Sequence, residues 1–122
     1  MAKGKPKILV CDDEQAISHA LELKLGHEDF DVVTAGNGDE CLSAMSKEKF
    51  DLVLLDLVIP KKDGFDVLEE LRRRGSKVPI IIISNLGQEE DIQRVKDLGV
   101  KQYLIKSNSS IVDIVNKVKE MI

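Results

Sequence analysis

The chain has 122 residues, 43% of them apolar and 33% charged, which suits one domain with a full core and excludes a chain too polar to fold. A net charge of −4 and a pI near 5.2 argue against general affinity for nucleic acid. No apolar run reaches bilayer length, no signal core precedes a cleavage site, and aromatic residues, at 3%, are too few to stack bases or a flavin, so a cytoplasmic location is expected.

Residues 1–6, with Lys3 and Lys5, read as a flexible basic leader that extends its solvated character to Lys7; the domain is assigned to 7–122. Ile8–Cys11 is the first short apolar run, and Asp12, Asp13 and Glu14 follow it. Cys11 and Cys41 lack metal-site spacing, and Cys11 inside a strand run reads as a buried free thiol. Ile17, Leu21 and Leu25, with Ala20, recur at helical spacing. Val32–Ala35 is a mixed run that ends without an ionisable group, and Cys41, Leu42 and Met45 form the next helical stripe. Leu52–Leu55 is apolar throughout and delivers Asp56 at its end. Pro60, Lys61 and Lys62 lead into an Asp63-Gly64 turn, then Phe65, Val67, Leu68 and Leu71 mark a third helix. Arg72, Arg73 and Arg74 close it, where cations suit the helix dipole. Ile80–Ile83 is apolar at every position, hence buried on both faces and central, and Ser84 ends it. Ile92, Val95 and Leu98 mark a fourth helix stopped by Gly99. Tyr103–Ile105 is mixed and ends in Lys106. Ile111, Ile114, Val115, Val118 and Ile122 mark the last helix, with Asn108 or Ser109 as its cap. His19 and His27 fall on a helix surface and a helix end.

Alternating strands and helices predict an α/β fold: a doubly wound five-stranded parallel sheet, flavodoxin-like (βα)5. The mixed second and fifth runs belong at the edges, which permits the order 2-1-3-4-5. Ligands of such sheets bind at the strand C-terminal ends. There the chain delivers Asp12 and Asp13, Asp56, Ser84 and Lys106. A lone buried carboxylate is costly, and three together repel unless a proton or cation intervenes. A hard divalent ion answers that need, magnesium above all, with manganese as the alternative. Carboxylates, a lysine and a hydroxyl suit a phosphoryl group, and a carboxylate can itself be the nucleophile. Singly, each residue has a plainer use as a turn former, a helix-start acid or a solvated lysine. Only their joint placement points to chemistry.

The stretches "ILVCDDE", "LVLLDLVIPKKDG", "IIIISN" and "YLIK", in this order, closely resemble the receiver domains of bacterial two-component response regulators. The resemblance runs from Lys7 to the last helix and implies that Asp56 is the phosphoacceptor. It implies that Asp13 binds magnesium directly and Asp12 through water, with Asp56 and the Val58 backbone carbonyl completing the protein ligands. Ser84 and Lys106 would contact the phosphoryl oxygens, and Tyr103 would be an aromatic switch that rotates inward. Two residues depart from the family pattern. Ser107 stands where proline usually follows the lysine; a cis bond ahead of serine is costly, which leaves the state of the Lys106–Ser107 bond open. Asn85 replaces a small residue and is placed to crowd or hydrogen-bond the phosphoryl site. Val58 and Leu86 are apolar and orient no water, which predicts a long-lived phosphoryl state.

The implied function is a signalling switch that catalyses only its own phosphorylation and slow autodephosphorylation. Its partners would be a histidine kinase or phosphotransfer protein and a downstream protein target. A homodimer through the fourth helix, fifth strand and fifth helix is a further partner, with no direct nucleic acid and no membrane. Two readings stay open beside it. One is a phosphorylation-independent pseudo-receiver. The other is a magnesium-dependent aspartyl-phosphate phosphohydrolase, which would need a second acid where Val58 stands and a cap domain. Nothing up to Ile122 encodes an output domain, as in a stand-alone chemotaxis-type receiver or a receiver cut from a longer chain.

Overall fold

Short apolar or mixed runs alternate with amphipathic ones, and in the computed structural model, which describes residues 4–122, they become strands and helices in strict alternation. The elements are β1 (Lys7–Cys11), α1 (Gln15–His27), β2 (Asp31–Ala35), α2 (Gly38–Lys47), β3 (Leu52–Leu55), α3 (Gly64–Arg73), β4 (Ile80–Ser84), α4 (Glu89–Asp97), β5 (Gln102–Ile105) and α5 (Ile111–Met121). All neighbouring strands pair in parallel, in the order β2-β1-β3-β4-β5. This is the doubly wound sheet that the patterning predicts.

The sheet separates two cores because side chains alternate between its faces. Leu9, Cys11, Val53, Leu55 and Ile82 face α2, α3 and α4, where they meet Cys41, Leu68 and Val95. Ile8, Val10, Leu52, Leu54, Ile81 and Ile83 face α1 and α5, where they meet Leu21, Leu25, Ile114 and Val118. Burial on both faces explains why β1, β3 and β4 read as continuous apolar runs. Each such side chain contributes about 1.5–3 kcal/mol on burial. The two cysteines are free thiols packed in the same core. Among the described residues, no helix is long and apolar enough to cross a membrane.

Three details differ from expectation. Lys7 is not a solvated leader residue: its N–H donates to the Asp51 carboxylate at 2.7 Å, and its Nζ lies 2.6 Å from Glu48 Oε1. The Pro6 carbonyl already accepts from Asp31 N–H at 2.9 Å, so the leader joins the fold before its expected end; residues 1–3 lie outside the described part. The cap of α5 is Ser110, in a capping box with Asp113, because Lys106–Asn108 form a 3-10 turn that displaces the helix start. Ile122, placed in the last apolar stripe, is half exposed. Gly99 does stop α4, at a φ of 88° that disfavours any side chain.

Candidate functional site

β1 and β3 are neighbours, with Cys11 opposite Leu55, so the next residues of each, Asp12 and Asp56, emerge side by side. Backbone bonds hold both in place: Asp12 N–H donates to Ala35 O and Asp56 N–H to Cys11 O, each at 3.0 Å. Both carboxylates are buried, whereas Asp13 is exposed. The three can each bring one oxygen within 4.8 Å of the others. The loop after β3 closes over Asp56 through two glycines. A Cβ at Gly64 would meet Asp56 O at 2.6 Å, and one at Gly38 would meet Lys62 O at 1.9 Å. Only bare backbone lets α3 and the Pro60–Lys62 loop pack this closely. Val58 presents its side chain to solvent and donates its N–H to Asp56 Oδ1 at 3.1 Å.

Lys106, buried at the end of β5, brings the counter-charge. Its Nζ lies 2.7 Å from Asp56 Oδ2, 2.9 Å from Asp12 Oδ2 and 2.6 Å from Glu14 Oε1. Burial alone would lower its pKa, but the hydrogen bonds it donates to Asp56 and Glu14, with the Asp12 carboxylate close by, outweigh it and hold the ammonium well above the ordinary lysine range. Asp12 moves the other way from a simple ion pair: burial raises its pKa, only partly opposed by Lys106 and by the Glu14 N–H. One ammonium divided among three carboxylates compensates none of them fully. Asp12 Oδ2 shows this directly, since it is buried and lacks a well-directed hydrogen-bond donor.

That unsatisfied oxygen, beside two further carboxylates at the edge of solvent, fits a hard divalent cation with oxygen ligands. Asp12, Asp13 and Asp56 are the residues that would hold it. The raised Asp12 pKa carries a stability sign. Ionisation is disfavoured in the fold, so the stabilisation present below the ordinary value of 3.8 is lost as pH rises through the higher folded value. Asp12→Asn is therefore expected to be more stable than wild type at pH 7 without metal. The advantage should vanish below pH 3.8, as urea denaturation at the two pH values would show.

Ser84 is fully buried at the end of β4, and its Oγ accepts from Leu86 N–H at 3.3 Å. Tyr103 is half-buried on β5 and donates its hydroxyl to the Leu86 carbonyl. Burial, then the charges of Asp91 and Asp56, push its pKa up to about 12, so the phenol is a neutral donor. It therefore ties β5 to the β4–α4 loop. Asn85 does not spend its acceptor on the acid cluster: its Oδ1 accepts from Ser107 N–H at 2.8 Å. The two departures from the family pattern are thus partners, because a proline at 107 would have no N–H to give. The described peptide bonds, Lys106–Ser107 among them, are trans.

The residue that sequence reasoning missed is Glu14. Standing after two acids, it reads as a helix-start residue. In the structure it is the N-cap of α1 but makes no side-chain cap bond. Its carboxylate turns instead to Lys106, 92 residues away in the chain. The signal was a third consecutive acid at a strand end that the fold brings beside a lysine.

Comparison with known proteins is consistent with this geometry. The family model described as "Response regulator receiver domain" matches residues 8–119. A probable transcriptional regulator of Porphyridium aerugineum is 43% identical over 102 residues, covering 84% of this chain and 42% of the relative. The chain thus spans about two fifths of that relative's length. A Francisella response regulator receiver domain is 30% identical, with 96% of each chain covered and a TM-score of 0.88. A Thermotoga maritima response regulator solved in complex with Mg2+–BeF is 29% identical, covering 96% of this chain and 99% of that one, with a TM-score of 0.81.

Proposed function

We propose, on the premise that the chain belongs to the family of response regulator receiver domains, that it is a phosphorylation-controlled signalling switch with Asp56 as the phosphoacceptor. The observation that carries this is the pairing of two buried carboxylates, Asp12 and Asp56, with Lys106 within 2.9 Å of both. A carboxylate oxygen of Asp56 attacks phosphorus. The bond from phosphorus to a kinase imidazole, or to the acyl oxygen of acetyl phosphate, breaks, and its electron pair leaves with that group. Lys106 neutralises oxygens of the transferred group, and the Ser84 hydroxyl offers a further donor. Magnesium, held by Asp12, Asp13, Asp56 and the Val58 carbonyl, supplies charge neutralisation for the phosphoryl oxygens when bound.

The new charge draws Lys106 and Ser84 inward, and Ser84 carries the β4–α4 loop through Leu86 N–H. Tyr103 bonds the same residue's carbonyl, so it reads the loop's position from β5. The bistable element is therefore this loop, and the altered surface is α4-β5-α5, which selects a protein target or a second copy. A histidine kinase or phosphotransfer protein is the proposed donor, and a cytoplasmic location belongs to the same reading. The name of the Porphyridium relative describes a protein of which this chain spans 42%, and the acidic balance here supports no direct nucleic-acid contact by these residues. Asn85 acts on the site through Ser107 and the Lys106 loop. A phosphohydrolase reading has little support, since the position for its second acid is an exposed valine, Val58.

Intact mass after incubation with acetyl phosphate tests the proposal: one phosphoryl group is gained with magnesium and none without it. No gain by folded protein with magnesium present would favour an interaction module that takes no phosphate. The phosphoryl group is expected to outlast minutes, because Val58 and Leu86 orient no water. Val58→Asn, which supplies a polar side chain at the exposed position, should shorten its lifetime. Loss within minutes from wild type would contradict the role given to those two residues.

A further inference from the structure

Four carboxylates gather at this end of the sheet, and three of them, Asp12, Glu14 and Asp56, contact one ammonium, that of Lys106. Three of them, Asp12, Asp13 and Asp56, can converge on a common ion. Glu14 stands outside that group, yet it makes the shortest contact with Lys106, 2.6 Å against 2.7 Å for Asp56 and 2.9 Å for Asp12. Its backbone is fixed beside the ligand set, because its N–H donates to Asp12 Oδ1 at 2.9 Å. Its side chain is 54% exposed, so it reaches Lys106 from the solvent side of the pocket.

We propose that Glu14 is a positioning residue that holds Lys106 while a divalent cation occupies Asp12 and Asp56. The inference rests on the receiver reading above. The carboxylates that Lys106 now bridges are two of those that would bind the ion. An ammonium and a divalent cation repel strongly when they share the same carboxylates at low dielectric. Lys106 must therefore give way, and Glu14 is the acceptor that the ion does not claim. It draws the ammonium toward the mouth of the pocket, where an incoming phosphoryl group would meet it. Without that charge, Lys106 falls back on Asp12 and Asp56 and competes with the cation for them. The pocket also becomes less negative, which weakens cation binding in the same direction.

Magnesium titration of the whole chain, followed by amide NMR and by the Lys106 side-chain ammonium signal, tests this. Glu14→Gln keeps the shape and removes the charge; its magnesium dissociation constant should rise about fivefold. Glu14→Asp keeps the charge one methylene short and should fall between the two. At saturating magnesium the Lys106 ammonium signal should persist in wild type and be lost to exchange in Glu14→Gln, which a merely structural role for Glu14 would not produce. Unchanged magnesium affinity and an unchanged Lys106 signal in Glu14→Gln, with wild type binding the ion, would overturn this proposal alone. Wild type that neither binds magnesium nor gains a phosphoryl group from acetyl phosphate would overturn the receiver reading and this inference with it.

Discussion

Asp56→Asn is expected to gain no phosphoryl group from acetyl phosphate and magnesium, at least about 100-fold below wild type by intact mass. The amide keeps the volume of the side chain and can still accept the Val58 N–H, which now lies 3.1 Å from Oδ1. What it loses is the anionic oxygen that attacks phosphorus, and a neutral amide oxygen is a far weaker nucleophile. The neighbouring acids are poorly placed to replace it. Asp12 has one oxygen engaged by Glu14 N–H and the other against Lys106, and Asp13 is on the exposed side of the cluster. The fold should survive, because Lys106 keeps Asp12 and Glu14 as partners. Labelling of the variant at the wild-type level would place the acceptor elsewhere and sink the assignment.

Lys106→Ala is expected to be the costliest single change in the site, with a loss of about 3–5 kcal/mol at neutral pH in metal-free urea denaturation. The reason is what it leaves behind. Asp12 and Asp56 have side chains 0% and 5% exposed, and Lys106 is the cation that contacts both. Removing it strands two buried like charges. Magnesium should then restore more stability to the variant than it adds to wild type, since the ion supplies the missing positive charge only where the fold has assembled the acids. Lys106→Met, which keeps most of the buried stem, should lose nearly as much, because the deficit is one of charge and not of packing. A variant as stable as wild type without metal would mean that the pocket is hydrated enough to ionise both acids unaided.

Much of this architecture was legible in residue order. The continuous apolar runs Ile8–Cys11, Leu52–Leu55 and Ile80–Ile83 mark strands covered on both faces, and the mixed runs mark the sheet's edges. Parallel pairing puts every strand's C-terminal end on one side, so the positions of Asp12, Asp56, Ser84 and Lys106 along the chain already implied one site. Periodicity is a local property, and a strand's last residue is local too. Gly99 and the Asp63-Gly64 turn were readable for the same reason: each answers a demand of its own few backbone angles.

Contacts between loops were not readable, because they depend on where the packed sheet sets two chain ends that share no pattern. Residue order alone determined the fold class, the edge and central strands, and that Asp12, Asp56 and Lys106 meet at the strand ends. Only the tertiary structure decided that Glu14 leaves its helix cap for Lys106 and that Asn85 accepts from Ser107. It likewise moved the cap of α5 to Ser110. In each case the partner is set by where the packed chain places a loop or turn, and that placement is a property of the whole fold.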